Sequence, residues 1–428
     1  MAKTANRVEE IKKFQADLER CTKCGFCAFW CPVYQEELVE SSLARGKTMI
    51  VRSLAAGELD YSKEFADRLN KCLLCMTCTA NCPVKTQIPN VIVAARADKV
   101  KATGVKFPYN IIYRWLLPRR RLFGNIVRIV SWLQGILFPK TEGTIRHLPL
   151  FLSALGKGRQ IPSIAPRFLR EIVPEVNKPP TGVPTKMRVG YFSGCMTEYV
   201  FPEVGKKLIN FLTKNGVEVV VPRTQGCCGA PVYLGAGDFE TGRRFADANV
   251  KAFADFDYVI SGCATCISAM KDYLKFLADT PGRKEASAKF VDKLKDISEF
   301  LVDVLKLPPS VYQPASEFKG KKVTWHDPCH LGRHLGVTSQ PRQILKSIPG
   351  IEYVEMPNAD RCCGMAGTFS IYYYDLSKKI AQKKMEAIQA TDADIVVTAC
   401  PGCQIQLMDN IVQNKMQQKV KHFMELLE

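Results

Sequence analysis

The residues of this chain best placed to do chemistry are its cysteines, eighteen among 428 residues, and they fall into two repeated patterns. Near the start, Cys21, Cys24, Cys27 and Cys31-Pro32 are answered by Cys72, Cys75, Cys78 and Cys82-Pro83 at the same spacing. Later, Cys195, Cys227-Cys228-Gly229 and the pair Cys263, Cys266 are answered by Cys329, Cys362-Cys363-Gly364 and the pair Cys400, Cys403. The single cysteine and the double one are separated by 31 residues in the first copy and 32 in the second. The double one and the CxxC are separated by 34 and 36. Flanking residues repeat too, so that 188–195 answers 322–329 and 257–263 answers 394–400. A module has been duplicated. Five thiols converging on one spot hold a metal, form a disulfide or do neither, and two complete copies argue for metal.

The earlier pattern is more specific. Three closely spaced thiols followed by Cys-Pro is the spacing in which each triplet holds one [4Fe–4S] cube and the trailing cysteine ligates the other cube. By that rule Cys21, Cys24, Cys27 and Cys82 hold one cluster, and Cys72, Cys75, Cys78 and Cys31 hold the other. Structural zinc needs only four cysteines and neither the third step nor the trailing Cys-Pro.

The elements that must position these thiols can be read from periodicity. In the duplicated part, short β-branched runs lead into the cysteine elements, and helical segments over Val204–Lys214 and Arg342–Ser347 separate them. Gly216 and Gly350 stand where helices end. Strands alternating with helices predict parallel α/β sheets, with the cysteines at the carboxyl ends of the strands. Helical periodicity is also expected over Arg7–Arg20, Glu37–Leu43, Arg45–Ala56, Phe65–Leu69 and Lys284–Leu307. The organisation read from this is an all-helical two-cluster domain over 1–102, a helical connector over 103–186, and two cysteine-rich α/β modules over 187–310 and 311–428.

The connector has no cysteine. Ile111–Leu117 is apolar, Arg119-Arg120-Arg121 follows Pro118, and Ile126, Val127, Val130, Leu133 and Leu137 would share one face of a helix running to Phe138. A basic cluster beside an amphipathic helix can lie on an anionic membrane surface. The preferred reading is a helix packed on the metal domains or on a partner, with its basic residues solvated. Pro174–Pro184 reads as a linker.

Composition is that of a globular protein, 46% hydrophobic and 24% charged. No apolar run is long enough to span a bilayer. Met1–Arg7 is not followed by an apolar core, so no secretory signal is expected. Clustered CxxC spacings without a leader indicate metal in a reducing cytoplasm rather than disulfides. The formal charge of +18 overstates the loaded protein, because iron-bound thiolates are not counted in it. Its basic residues are dispersed and carry no nucleic-acid motif. No glycine fingerprint follows a strand, so neither flavin nor nicotinamide of the chain's own is expected.

His326, His330 and His334 are spaced by four, and a helix would align them as a proton relay. The preferred reading is that His326 and Asp327 hydrogen-bond the loop presenting Cys329, the others being ordinary polar positions. Arg223 and Arg361 flank cysteines and either tune a potential or are solvated.

The 40 residues between Cys31 and Cys72 make the first domain similar to the α-helical ferredoxin of succinate dehydrogenases and related electron-transfer proteins. The duplicated part resembles the cysteine-rich CCG domain. The whole layout resembles the iron–sulfur subunits of glycolate oxidase and lactate dehydrogenase systems, and the heterodisulfide reductase chain in which a ferredoxin is fused to two such modules. The resemblance implies that a complete module holds a noncubane [4Fe–4S] cluster, so that one or two such clusters, or a metal, are carried by Cys195, Cys227, Cys228, Cys263, Cys266 and by Cys329, Cys362, Cys363, Cys400, Cys403. Eight cysteines for the cubes and five per module account for all eighteen. Gly367-Thr-Phe-Ser370 leans towards the glycolate and lactate group, while the retained first cysteine of Cys400-Pro-Gly-Cys403 keeps heterodisulfide-type chemistry open. The implied function is an electron-transfer subunit of a flavin-dependent 2-hydroxyacid dehydrogenase, at the cytoplasmic face of the membrane or free in the cytoplasm. It would take electrons from an FAD-containing partner to a quinone, an electron-transferring flavoprotein or a similar acceptor. The alternative is a heterodisulfide reductase-type catalytic chain that splits a disulfide at a noncubane cluster.

Overall fold

A computed structural model of the chain describes residues 8–137, 145–147 and 159–428, and the side chains of 135–137 and 145–147 are not among what it describes. The expectations on Met1–Arg7, on Phe138 and on the side chain of Leu137 therefore lie outside the described residues.

The first part is helical. Ala44–Ala55 turns Ala44, Thr48, Val51 and Leu54 inward, which is the i, i+4, i+7, i+10 stripe of an amphipathic helix. Ser62 caps Lys63–Asn70 by accepting the Phe65 N–H at 3.1 Å. Ile88–Thr103 is apolar on most sides and runs through the core beside Ile11, Leu18, Phe65 and Leu69. Its buried Asp98 accepts the backbone N–H groups of Glu10 and Ile11 at 3.0 and 2.9 Å, which satisfies the start of helix Glu9–Lys12 from outside. The helix expected over Glu37–Leu43 does not form. Pro32–Glu37 ends at Leu38 in a left-handed conformation, and only a short 3₁₀ turn, Glu40–Ser42, follows.

The duplication is plain in the sheets. In the first, strands Val217–Val220, Met187–Tyr191, Val259–Ser261 and Leu294–Asp296 lie side by side, all parallel. In the second, Glu352–Val354, Lys322–Trp325, Ile395–Thr398 and Lys419–His422 repeat that order, again all parallel. The first sheet gains one antiparallel edge strand, Val176–Asn177, from the segment read as a linker. The helix expected over Lys284–Leu307 is instead Pro281–Lys293, then strand Leu294–Asp296, then two short helical turns. Leu294 and Asp296 are fully buried with Lys295 between them, a period of two that the sheet edge exploits and helical counting misses. Helices Pro202–Lys214 and Ser339–Ser347 match the expected ones, and Gly216 ends the first with φ +85°.

The two modules share one core. Tyr191, Leu208 and Val219 pack in the same cluster as Trp325, Ile344 and Val397. His422 Nε2 hydrogen-bonds the Gly262 carbonyl at 2.7 Å, and Lys207 donates to the Glu425 carbonyl at 2.8 Å.

The connector helix Arg120–Leu137 lies against the first module as in the preferred reading, but its Arg120 and Arg128 are paired rather than solvated. It is anchored by its polar groups: Arg120 donates to the Gln225 carbonyl, Arg128 pairs with Glu171, and Gln134 donates to the Ile164 carbonyl at 2.7 Å. Ile126, Ile129, Val130 and Trp132 face outward, Trp132 with 77% of its surface exposed. Among the described residues no helix is long and apolar enough to cross a membrane.

Candidate metal centres

The two N-terminal motifs fold alike. Lys23 and Gly25 have φ of +60° and +82°, and Leu74 and Met76, at the same places in the second motif, have +53° and +60°. These left-handed steps curl each loop so that its thiols turn to one side, and three of the four are residues for which that conformation is strained. Cys21, Cys24, Cys27, Cys78 and Cys82 line one small hollow. Cys31 lies within electrostatic reach of Cys72 and Cys75, and Cys78 of Cys72, Cys75 and Cys31.

In each module the thiols stand at the carboxyl ends of the parallel strands. Cys195 follows strand Met187–Tyr191 and Cys329 follows Lys322–Trp325. Cys263 and Cys400 are the N-caps of helices Ala264–Lys271 and Pro401–Gln413, with Cys266 and Cys403 in the first turns. A helix N-terminus favours the negative charge of a thiolate. The glycine after each cysteine pair is left-handed, with φ +78° at Gly229 and +87° at Gly364. That turn aims the glycine N–H at the first sulfur of the pair, 3.3 Å to Cys227 Sγ and 3.4 Å to Cys362 Sγ. A Cβ on Gly364 would stand 2.8 Å from the Ser377 carbonyl. Glycine is therefore part of the site.

The structure brings the groups together. Thiol contacts run from Cys227 to Cys228, Cys266 and Cys263 in the first module. Cys263 touches Cys400 across the module interface, and the row continues through Cys403, Cys363 and Cys362 to Cys329. Cys362 also touches Cys75 of the ferredoxin part. Cys195 stands beside Cys227 and Cys228 and opens onto a cavity of about 370 Å³ lined by nine of the ten module cysteines, Cys227 excepted. Two bonds clamp the central crossing. The Ala264 N–H donates to the Ala399 carbonyl at 3.2 Å, and Thr265 Oγ1 lies 3.3 Å from Cys400 Sγ.

The donor set suits iron–sulfur ligation. All eighteen thiols are free, and seven of the ten in the modules are buried. Burial pushes the Cys31 thiol up to about 11, and contact with Cys362 together with burial pushes Cys75 up. Contacts with neighbouring thiols hold Cys228, Cys363 and Cys400 well down while their partners are raised, and metal binding is what converts the raised thiols to thiolates.

Several anchoring residues carry no signal in the sequence. Buried Arg96 donates to the carbonyls of Leu69, Cys72 and Leu234, tying the Cys72 loop to the first module. Arg333 donates to the Cys75 carbonyl at 3.3 Å and pairs with Asp360, tying the Cys75 loop to the second. Lys384 is fully buried, donating to the carbonyls of Asn358 and Ala359 at 2.8 and 3.0 Å. Arg361 donates to Gln35, and Arg223 donates to the carbonyls of Arg170 and Val173, so both hold elements together. The histidines do not align as one relay. His330 reaches Thr265, and His334 reaches Ser268 and Asp272, all in the first module. Asp327 does hold its loop, through Trp325 Nε1 and Arg342, whereas neither ring nitrogen of His326 has a hydrogen-bond partner.

Comparison with known proteins agrees with this geometry. Residues 17–86 match the 4Fe-4S dicluster domain, and residues 189–271 and 323–408 each match the cysteine-rich domain CCG. The chain is 31% identical to a probable glycolate oxidase iron-sulfur subunit of Bacillus subtilis, over 96% of this chain and 94% of that protein. It is 33% identical to lactate utilization protein A of Oceanobacillus iheyensis, over 56% of this chain and 96% of that one. It is 35% identical to one of the subunits of a fumarate reductase (CoM/CoB) of Methanothermobacter marburgensis, over 56% and 46%.

Proposed function

The chain belongs to the CCG-domain family of iron–sulfur oxidoreductases, and from that footing we propose that it is the electron-transfer subunit of a flavin-dependent 2-hydroxyacid dehydrogenase acting on lactate or glycolate. The observation that carries this reading is the row of thiols joining the ferredoxin part to both modules, in a chain similar over almost its full length to a probable glycolate oxidase iron-sulfur subunit. Cys21, Cys24, Cys27 and Cys82 would hold one cube and Cys72, Cys75, Cys78 and Cys31 the other. The five cysteines of each module would hold a noncubane cluster, and the domains would run 1–102, 103–186, 187–310 and 311–428. When bound, the clusters supply one-electron carriers.

The chain's own residues do the rest. Gly229 and Gly364 direct N–H groups to sulfur, a contact that favours added negative charge at the site. Arg96 and Arg333 keep the ferredoxin part seated on the modules. Phe26, Phe29 and Trp30, next to Cys24 and Cys27, present an apolar surface on which an FAD-bearing partner docks, with Phe29 69% exposed. The outward face of Arg120–Leu137 offers a second contact, for an electron-transferring flavoprotein or a quinone-reducing partner at the cytoplasmic face of the membrane.

The test uses the native complex isolated without oxygen. Adding lactate or glycolate is expected to bleach the visible iron–sulfur absorbance within turnover time. Absence of bleaching with any hydroxyacid, with reoxidation of dithionite-reduced clusters by a heterodisulfide, would instead establish disulfide cleavage at the modules. That second reading is favoured by the nine module cysteines that line one cavity.

A further inference from the structure

The two modules are near copies, so each position in one has its control in the other. Three residues before Cys195 stands Phe192, and three before Cys329 stands His326. Their backbones are equivalent: Phe192 N–H donates to the Ile260 carbonyl at 2.8 Å, and His326 N–H donates to the Val397 carbonyl at 2.9 Å. Each acceptor is itself three residues before the first cysteine of its CxxC. Both side chains are fully buried. Phe192 does what a buried ring does there, packing in one cluster with Phe253, Cys228, Cys263 and Cys266.

His326 takes that place with a ring carrying two polar atoms, and neither has a hydrogen-bond partner. Leaving such a group unsatisfied in the interior is costly, because its hydrogen bonds to water are lost and not replaced. The other histidines whose side chains are described, His330, His334 and His422, all have partners. What His326 does have is sulfur: a ring nitrogen and the Sγ atoms of Cys363 and Cys403 all lie within 4.8 Å of one another, in three buried residues. An imidazole nitrogen with two thiolates is a recurrent iron or zinc donor set.

The geometry points to His326 as a nitrogen ligand of the metal centre in the second module, sharing an iron with Cys363 and Cys403. This rests on the reading that the module cysteines hold iron. The two modules then differ in kind. The first is all-thiolate, with Phe192 where a nitrogen would be, and the second is mixed. The mixed module is the one that meets the ferredoxin part, through Cys362 and Cys75.

The test is pulsed electron paramagnetic resonance on the anaerobic holoprotein made with ¹⁵N-imidazole histidine. A directly bound nitrogen is expected in the wild type, shifted by the isotope. It should persist in His330→Gln, whose residue lines the cavity that Cys363 and Cys403 also line, and vanish in His326→Phe, which copies the first module. His326→Cys, a second variant that keeps a donor atom at this place, should lose the nitrogen coupling and keep the iron of that centre. Full iron content in the wild type with no bound nitrogen, or a coupling that survives His326→Phe, overturns the assignment and leaves iron in the second module intact. Iron content unchanged in the double variant Cys362→Ser, Cys363→Ser would remove the iron reading itself, and the assignment with it.

Discussion

At the scale of single residues, the thiol of Cys31 and the carboxyl of Asp296 answer to the same force. Burial disfavours the charged form of each, and pushes Asp296 up to about 7 although the N–H and hydroxyl of Ser298 donate to its Oδ1 at 2.8 and 2.6 Å. Its Oδ2 has no partner. Below about pH 4 the carboxyl is protonated both folded and unfolded. Between there and pH 7 only the unfolded chain releases the proton, so stability falls as pH rises through that window and is level above it. Asp296→Asn keeps the acceptor for Ser298 and removes the ionisation. The variant is expected to match the wild type at pH 4 and to exceed it by at most roughly 4 kcal/mol at pH 8, measured by denaturant unfolding of anaerobic protein. A difference that does not change with pH would refute the assignment. Nothing in the sequence marks this aspartate, since its burial is created by the edge strand Leu294–Asp296 that helical counting overlooks.

At the scale of elements, the ferredoxin part is seated by backbone packed directly on backbone. Gly237, with φ +83°, closes the π-helical segment Ala230–Ala236 against helix Ile88–Thr103. A Cβ there would stand 2.4 Å from the carbonyl carbon and oxygen of Arg96. Gly237→Ala therefore meets both a left-handed conformation and rigid main chain, and neither can give way cheaply. The expected loss is roughly 2–4 kcal/mol, with faster proteolysis between the ferredoxin part and the first module. Unchanged thermal unfolding and unchanged proteolysis would show that the seat does not depend on this contact. The helix Ile88–Thr103 was not among the elements expected from periodicity, and the need for glycine at 237 arises only where two distant segments meet.

At the scale of the whole molecule, the hollow of Cys21, Cys24, Cys27, Cys78 and Cys82 is lined by the ferredoxin part alone, and the group around Cys75 abuts the second module. The crossed assignment makes a sharp distinction. Cys82→Ser and Cys31→Ser should each lower iron content by about four atoms per chain, and each should remove the cube of the other motif's triplet. In Cys31→Ser the modules should no longer be reduced by hydroxyacid while dithionite still bleaches them. Resonance spectra showing that each serine removes the cube of its own triplet would reverse the assignment, and hydroxyacid reduction of the modules in Cys31→Ser would place the route elsewhere.

The cysteine register, the duplication and the strand-to-thiol order were decided by the sequence alone, because ligand spacing and strand periodicity are properties of neighbouring residues. The tertiary structure alone decided that Cys75 meets Cys362 and that Cys263 meets Cys400. It also decided that both modules share one core, that the connector turns Trp132 outward, and that His326 has sulfur and no hydrogen bond around it. Each of these depends on which buried surfaces of distant segments fit together, and on what partners packing leaves for a polar atom, which no local pattern carries.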